Sequence, residues 1–76
     1  MKLKELFINF EKAEALTDSI DIDTNEDAWD KAYKAEFEAF CELANEIMNL
    51  IKCDRNTANA MIMKERENLR ALVARM

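Results

Sequence analysis

The sequence predicts an all-α protein, and two observations support that fold class. None of the 76 residues is glycine or proline, whereas tight β-hairpin turns need residues that adopt a positive φ angle, usually glycine. Apolar residues also recur every three or four positions over long stretches, which is the period of one face of a helix. A chain of this length has a thin core, so we expect residues 1–76 to form one small domain that gains stability from partner contacts.

The first helix is predicted over residues 2–17 and a longer second helix over residues 25–52. In the first, the apolar residues form one stripe with charged residues mostly outside it. That stripe consists of Leu3, Leu6, Phe7, Phe10, Ala13 and Leu16. In the second, apolar residues step by three or four positions, close to the heptad seam with which helices pack together. That seam consists of Trp29, Tyr33, Phe37, Phe40, Ala44, Ile47 and Ile51.

Residues 21–27, with the sequence DIDTNED, have the alternating acidic and amide side chains that begin a calcium-binding loop. In such a loop the sixth position is a glycine and the twelfth a glutamate, but here they are Glu26 and Ala32. We therefore predict no metal site and interpret the segment as a loop and helix cap. Thr24 or Asp23, each followed by an acid three positions later, has the spacing of a capping box.

A third helix is predicted over residues 55–75. Apolar residues after position 57 follow a different phase from the seam of the second helix, so the chain must turn between the two helices. Asp54 suits the start of the new helix because its carboxylate can accept hydrogen bonds from free backbone amides. A short turn there would make the second and third helices a long antiparallel hairpin, which the shorter first helix would cover only in part.

The uncovered part of this hairpin is expected to expose large apolar side chains. Exposed apolar surface of this kind favours dimerisation or another binding site, and the pattern favours a dimeric helical bundle. Flexible methionines also suit adaptable binding surfaces. The residues predicted for an apolar or dimer contact are Met61, Ile62, Met63 and Leu69.

Enzymatic chemistry is not expected from this sequence. The chain has no histidine, the commonest general base and metal ligand. It also has no glycine-rich phosphate loop, no nucleophile motif and no pair of cysteines at zinc spacing, so we predict neither cofactor nor metal. No apolar run approaches the about 20 residues that span a bilayer, and no signal-peptide pattern is present. With two cysteines, too few for a disulfide scaffold, a cytoplasmic protein without membrane contact is expected.

The charge distribution provides the main functional hypothesis. The net charge is −5, and residues 18–46 contain ten acids against Lys31 and Lys34, a balance of −8. Regularly spaced carboxylates on a helix can imitate a phosphate backbone and attract a basic, nucleic-acid-binding protein. Small inhibitors from phages and other mobile elements often act in this way, which is an analogy of size and charge. The acidic surface predicted to bind protein consists of Asp30, Glu38, Glu42 and Glu46.

Three functional hypotheses follow, in order of preference. The first is a cytoplasmic bacterial or phage protein that acts as an inhibitor or adaptor and binds a basic partner through the acidic surface of the second helix. The second is a homodimeric structural or regulatory bundle that acts through its exposed apolar surface. The third and weakest is nucleic-acid binding through the arginines of the third helix. Glu65 and Glu67 interrupt that basic strip, and we expect the arginines to balance acids on the second helix instead.

Overall fold

The computed structural model describes residues 2–75, and over those residues the chain forms four α-helices and no strand. Helix α1 spans Lys2–Ser19, α2 spans Glu26–Ile51, α3 spans Arg55–Met63 and α4 spans Arg66–Arg75. The predicted all-α class is confirmed, and the first two helices end within two residues of their predicted bounds. The predicted count of three helices is wrong, because the segment 55–75 is divided at Lys64 and Glu65.

The core forms where α1 packs along α2 and α3 folds back against α2. Its buried side chains come from apolar positions of all four helices. They are Leu3, Phe7, Phe10, Leu43, Ala44, Ile47, Ala58, Ile62 and Leu69. Phe10 of α1 and Phe40 of α2 meet edge to face with ring centroids 5.9 Å apart, a geometry in which the positive edge of one ring faces the negative face of the other. The apolar stripe of α2 is therefore buried mainly in the C-terminal half of that helix.

The acidic loop before α2 is organised by Asp21 rather than by a capping box. Asp21 Oδ1 accepts a hydrogen bond from the backbone N–H of Asp23, and the Asp21 carbonyl oxygen accepts one from the N–H of Asn25, both at 2.9 Å. Asn25 precedes the helix and makes no capping hydrogen bond with its side chain. The predicted capping box at Thr24 or Asp23 is therefore wrong, because Asp21 accepts from the backbone N–H groups of both Asp23 and Thr24, which the box would have paired.

The turn between α2 and α3 lies where the change of phase predicted it. Lys52 adopts φ 55° and ψ 49°, the left-handed conformation that ends many helices and that glycine adopts most easily. Asp54 then caps α3, and its Oδ1 accepts a hydrogen bond from the backbone N–H of Thr57 at 2.8 Å. Hydrogen bonds from the side chain and then the backbone of Thr57 lower the pKa of Asp54. The ionised carboxylate thus stabilises the start of α3.

The division between α3 and α4 forms without glycine or proline. The backbone N–H groups of Lys64 and Glu65 both donate to the carbonyl oxygen of Ala60, at 2.8 and 2.9 Å, and close α3. The Glu65 carbonyl oxygen accepts from the N–H of Leu69 at 3.2 Å and begins α4. After the bend, α4 packs against α3 and α1 and has no close backbone contact with α2. The predicted hairpin of residues 25–52 and 55–75 is therefore formed only by α2 and α3.

Arg66 stabilises this bend. Its Nε donates to the carbonyl oxygen of Ile62 at 2.7 Å, so the side chain pairs a carbonyl group at the end of α3. The terminal nitrogens contact both carboxylate oxygens of Glu14, at 3.0 and 3.1 Å, and one also contacts Glu11 at 3.3 Å. The guanidinium carbon lies 5.2 Å from the centre of the Phe10 ring, a cation–π contact. We call these contacts the Arg66 clamp, and hydrogen bonding to Glu14 raises the pKa of Arg66 within it.

Replacing Arg66 with alanine is expected to destabilise the protein by about 2 kcal/mol, because hydrogen bonds to charged partners are lost and the Ile62 carbonyl loses its side-chain donor. Arg70→Ala is the control. Arg70 makes one contact, to Glu11 at 2.9 Å, and its side chain is 57% exposed, so its loss should cost less than about 1 kcal/mol. Urea unfolding followed by circular dichroism measures both values. Equal losses for the two variants would contradict a clamp centred on Arg66.

The Asp54 cap is expected to make stability depend on pH. The pKa of Asp54 is lowered in the folded protein. The stabilisation that its carboxylate contributes is therefore complete above the ordinary pKa of 3.8 and is lost as the pH falls through the folded pKa. Asp54→Asn keeps a capping oxygen but does not titrate. Thermal unfolding from neutral pH to about pH 3 should therefore show the wild type losing stability relative to Asp54→Asn below about pH 4. A constant difference across that range would contradict a titrating cap.

Candidate protein-binding surface

An apolar groove lies between the N-terminal half of α2 and the end of α3. Three large side chains on it are exposed: Tyr33 by 47%, Phe37 by 56% and Met63 by 63%. The space between the walls is about 280 Å³. The lining residues, which we call the aromatic groove, are Phe10, Tyr33, Glu36, Phe37, Phe40, Asn59 and Met63. Exposed apolar surface that is grouped in this way is typical of a contact site for another molecule.

The groove is open because the helices differ in length and α4 turns away. Helix α2 has 26 residues and is about 39 Å long, whereas α3 has nine residues and is about 14 Å long. Phe37 and Ala44 are seven residues apart and so lie on the same face of α2. Ala44 is fully buried and Phe37 is exposed. The face of α2 that is covered at Ala44 is therefore uncovered in the N-terminal half of the helix.

Trp29 extends the aromatic surface of α2 by one helical turn. Its ring stacks on that of Tyr33, with centroids 5.1 Å apart and planes 5° from parallel. Residues four apart on a helix are neighbours, so this stack follows directly from the spacing in the sequence. Aromatic side chains have few rotatable bonds, and little conformational entropy is lost when another molecule packs on them.

Asn59 adds a polar group to the otherwise apolar wall of α3. Its Oδ1 atom is buried and has no hydrogen-bond partner among the described residues. Buried amide oxygens normally accept a hydrogen bond, and leaving one unpaired costs free energy. Because this oxygen is itself buried, a molecule in the groove does not reach it, and the unpaired group lowers the stability of the fold instead.

The four acids predicted as a protein-binding surface lie along α2. Asp30, Glu38 and Glu42 are exposed, and Glu46 is half-buried. The three glutamates are spaced by four residues, and each step of four turns the side chain by about 40° around the helix axis. They therefore wind around the helix toward its C-terminal end, where Glu42 and Glu46 share a cleft with Lys2 of α1.

None of these four acids forms an ion pair with another residue of the described range. The ion pairs between residues 2 and 75 are Arg66–Glu11, Arg66–Glu14 and Arg70–Glu11. All of them join α4 to α1. Arg55 reaches α2 but donates to the neutral Oδ1 of Asn45, at 3.1 Å. The prediction that the arginines balance acids on the second helix is therefore wrong, and the charge of α2 is left without salt-bridge partners among these residues.

Of the four residues predicted for an apolar or dimer contact, only Met63 is exposed. Ile62 and Leu69 are fully buried in the core of the chain, and Met61 packs against that core. The groove instead includes two exposed aromatic residues of α2, which the heptad pattern assigned to a buried seam. The signal that could have identified them is helix length, since a third helix that ends early cannot cover all of α2.

Among residues 2–75, no three potential metal ligands come together, and no helix is long and apolar enough to cross a membrane. Comparison with protein-family models, with curated proteins and with solved structures found no match. The surface of the molecule itself therefore carries the functional inference.

Substitution by aspartate at two neighbouring positions of α3 is expected to have different effects on stability, because one side chain is exposed and the other lies in the core. Met63 is exposed, so Met63→Asp should leave the fold intact and change stability by less than about 1 kcal/mol. Ile62 is fully buried, so Ile62→Asp would place an unpaired carboxylate in the core and should unfold the domain. Circular dichroism and urea unfolding measure both outcomes. An Ile62→Asp variant with wild-type stability would contradict the placement of Ile62 in the core.

Proposed function

We propose that this protein is non-enzymatic and binds a basic protein through the surface of α2, acting as an inhibitor or adaptor. The distribution of ion pairs carries the proposal. The arginines of α4 pair with Glu11 and Glu14 of α1, whereas the predicted acidic surface of α2 has no such partner among the described residues. The segment 18–46 therefore keeps most of its balance of −8 available for an external partner.

Exposed carboxylates of this kind suit a basic partner for physical reasons. Their field extends over about a Debye length, roughly 8 Å at physiological ionic strength. Complementary charge accelerates encounter and disfavours partners of the same sign. Glu38, Glu42 and Glu46 follow one another at a rise of about 6 Å along a rigid helix, and we infer that they replace phosphates in the basic site of a nucleic-acid-binding protein. A cytoplasmic bacterial or phage protein would meet partners of that kind.

A homodimeric bundle is the alternative function, and the exposure of Tyr33, Phe37 and Met63 favours it. Its contact would use the aromatic groove, since the other residues predicted for a dimer contact lie in or against the core. Nucleic-acid binding through the arginines has less support. Arg66 and Arg70 are engaged by the carboxylates of α1, and a phosphate would have to compete with those contacts.

Reversing three charges on α2 is expected to abolish binding of the basic partner. The triple variant Glu38→Lys, Glu42→Lys and Glu46→Lys should retain its helicity and bind the partner at least about tenfold more weakly, because like charges would then face each other. The measurement is affinity capture from a nuclease-treated lysate of the source organism, followed by titration with the purified captured protein. Wild-type affinity should fall as the salt concentration rises.

The matched control is a second triple variant with the same change in net charge, Glu5→Lys, Glu65→Lys and Glu67→Lys. These residues are exposed on α1, at the bend and on α4. This control should bind the partner as the wild type does. Equal weakening by both triple variants would mean that only net charge matters, and unchanged binding of the α2 variant would contradict the proposal.

A further inference from the structure

We infer that the aromatic groove receives an amphipathic helix of the basic partner, with an apolar stripe in the groove and lysine or arginine residues along its edges. The inference rests on the proposed function and adds a second contact with the same partner, on a different face of α2 from Glu42 and Glu46. It follows from the shape of the groove, from its side chains and from the charge around it.

The groove occupies the place that a longer, unbent α3 would cover. The groove lies on the N-terminal half of α2, in line with the face that is buried farther along at Ala44. An unbent continuation of α3 would lie along that half of the hairpin, but α4 packs against α1 instead. The open stretch from Trp29 to Phe40 has a rise of about 17 Å, which corresponds to roughly three helical turns. A helix of the partner can therefore take the place that α4 leaves open.

The side chains of the groove suit the apolar stripe of such a helix. Tyr33 and Phe37 are one turn apart on one wall, and Met63 is on the other. Phe10 and Phe40 also contribute apolar surface to the lining. Helices that bind in grooves place apolar residues at three- and four-residue spacing against surfaces of this composition. The flexible Met63 side chain can adjust to the shape of the inserted residues.

The charge near the start of α2, rather than that of the groove lining, favours a basic occupant. Glu36 lines the groove itself, and Asp30 lies on the outer side of Tyr33 and Phe37 together with Lys31 and Lys34. Beyond the end of the groove that lies near the start of α2, the segment 18–30 contains six acids and no basic residue. The nearest lysines offset Asp30 and Glu36 locally, but the more distant field is negative. Basic residues on the occupant are therefore favoured, most of all near the start of α2.

The same charge disfavours a second copy of this chain as the occupant. Each copy has a net charge of −5 and carries the same acidic segment. Two copies that approach each other through this part of α2 therefore repel, whichever way the two helices run. A basic helix has the opposite sign.

The test uses two synthetic helical peptides of roughly four turns. Both have leucines at three- and four-residue spacing and no tryptophan; one carries lysines on its flanks and the other carries glutamates. Trp29 is the single tryptophan of the protein and stacks on Tyr33, so its fluorescence reports occupancy of the groove. The lysine peptide should bind at least about tenfold more tightly than the glutamate peptide. Equal affinity for the two peptides would overturn the charge assignment.

Substitutions then locate the binding site of the peptide. The double variant Phe37→Ser and Met63→Ser should weaken binding of the lysine peptide at least about tenfold. The control is Leu50→Ser and Ile51→Ser, which removes exposed apolar side chains at the other end of α2 and should leave binding unchanged. The double variant Asp30→Lys and Glu36→Lys should lower the ratio of the affinity for the lysine peptide to the affinity for the glutamate peptide. Wild-type affinity in the Phe37 and Met63 variant would place the peptide elsewhere and overturn the inference.

Two further measurements distinguish a failure of the groove inference from a failure of the proposed function. Light scattering without peptide should show a monomer; a dimer that Phe37→Ser dissociates would mean that a second copy fills the groove, which overturns the inference. The Phe37 and Met63 variant should also lose affinity for the captured natural partner. If it retains that affinity while the α2 charge-reversal variant does not, the groove inference fails and the proposed function stands. If neither variant loses affinity for the natural partner, both fail.

Discussion

Arg66 lies where α3 ends, α4 begins and α1 passes alongside, and its guanidinium contacts all three parts of the chain. It pairs the Ile62 carbonyl of α3 and both carboxylate oxygens of Glu14 in α1. Because a guanidinium is planar and presents its donors in a fixed geometry, these contacts also fix the direction in which the chain leaves α3. The contacts of this one side chain therefore help to hold α4 beside α1 and away from the open surface of α2.

The clamp also determines which acids remain available to a partner. Arg66 and Arg70 compensate Glu11 and Glu14, so the negative charge of α1 is partly used to join that helix to α4. No arginine forms an ion pair with α2 within residues 2–75, although α2 carries more acids. The acids of the two helices thus have different partners within the fold. Glu11 and Glu14 of α1 join that helix to α4, whereas the acids of α2 have no ion-pair partner within residues 2–75, which is the basis for proposing a basic partner.

Local sequence patterns were sufficient to predict much of the fold. Apolar periodicity predicted α1 and α2, and the change of phase with Asp54 predicted the turn before α3. The bend at Lys64 and Glu65 was not predictable from the same pattern, because Ile62 and Leu69 are seven residues apart and would share a face of a straight helix as well. Contacts such as that between Arg66 and Glu14, which are 52 positions apart in sequence, stabilise this bend. The exposed groove was expected from helix lengths, but its residues depend on that bend.

Helix α4 is short enough to cover only one of two apolar surfaces. Lying against α1, it buries Leu69 and keeps the guanidinium of Arg66 on Phe10 and beside two carboxylates. Lying along α2, it would cover Tyr33 and the rest of the aromatic groove, but it would separate the guanidinium from those acids. Exposed aromatic side chains are thus a consequence of where opposite charges pair. The surface left open from Trp29 to Phe40 is about three helical turns long, which is why we propose a helix as its occupant.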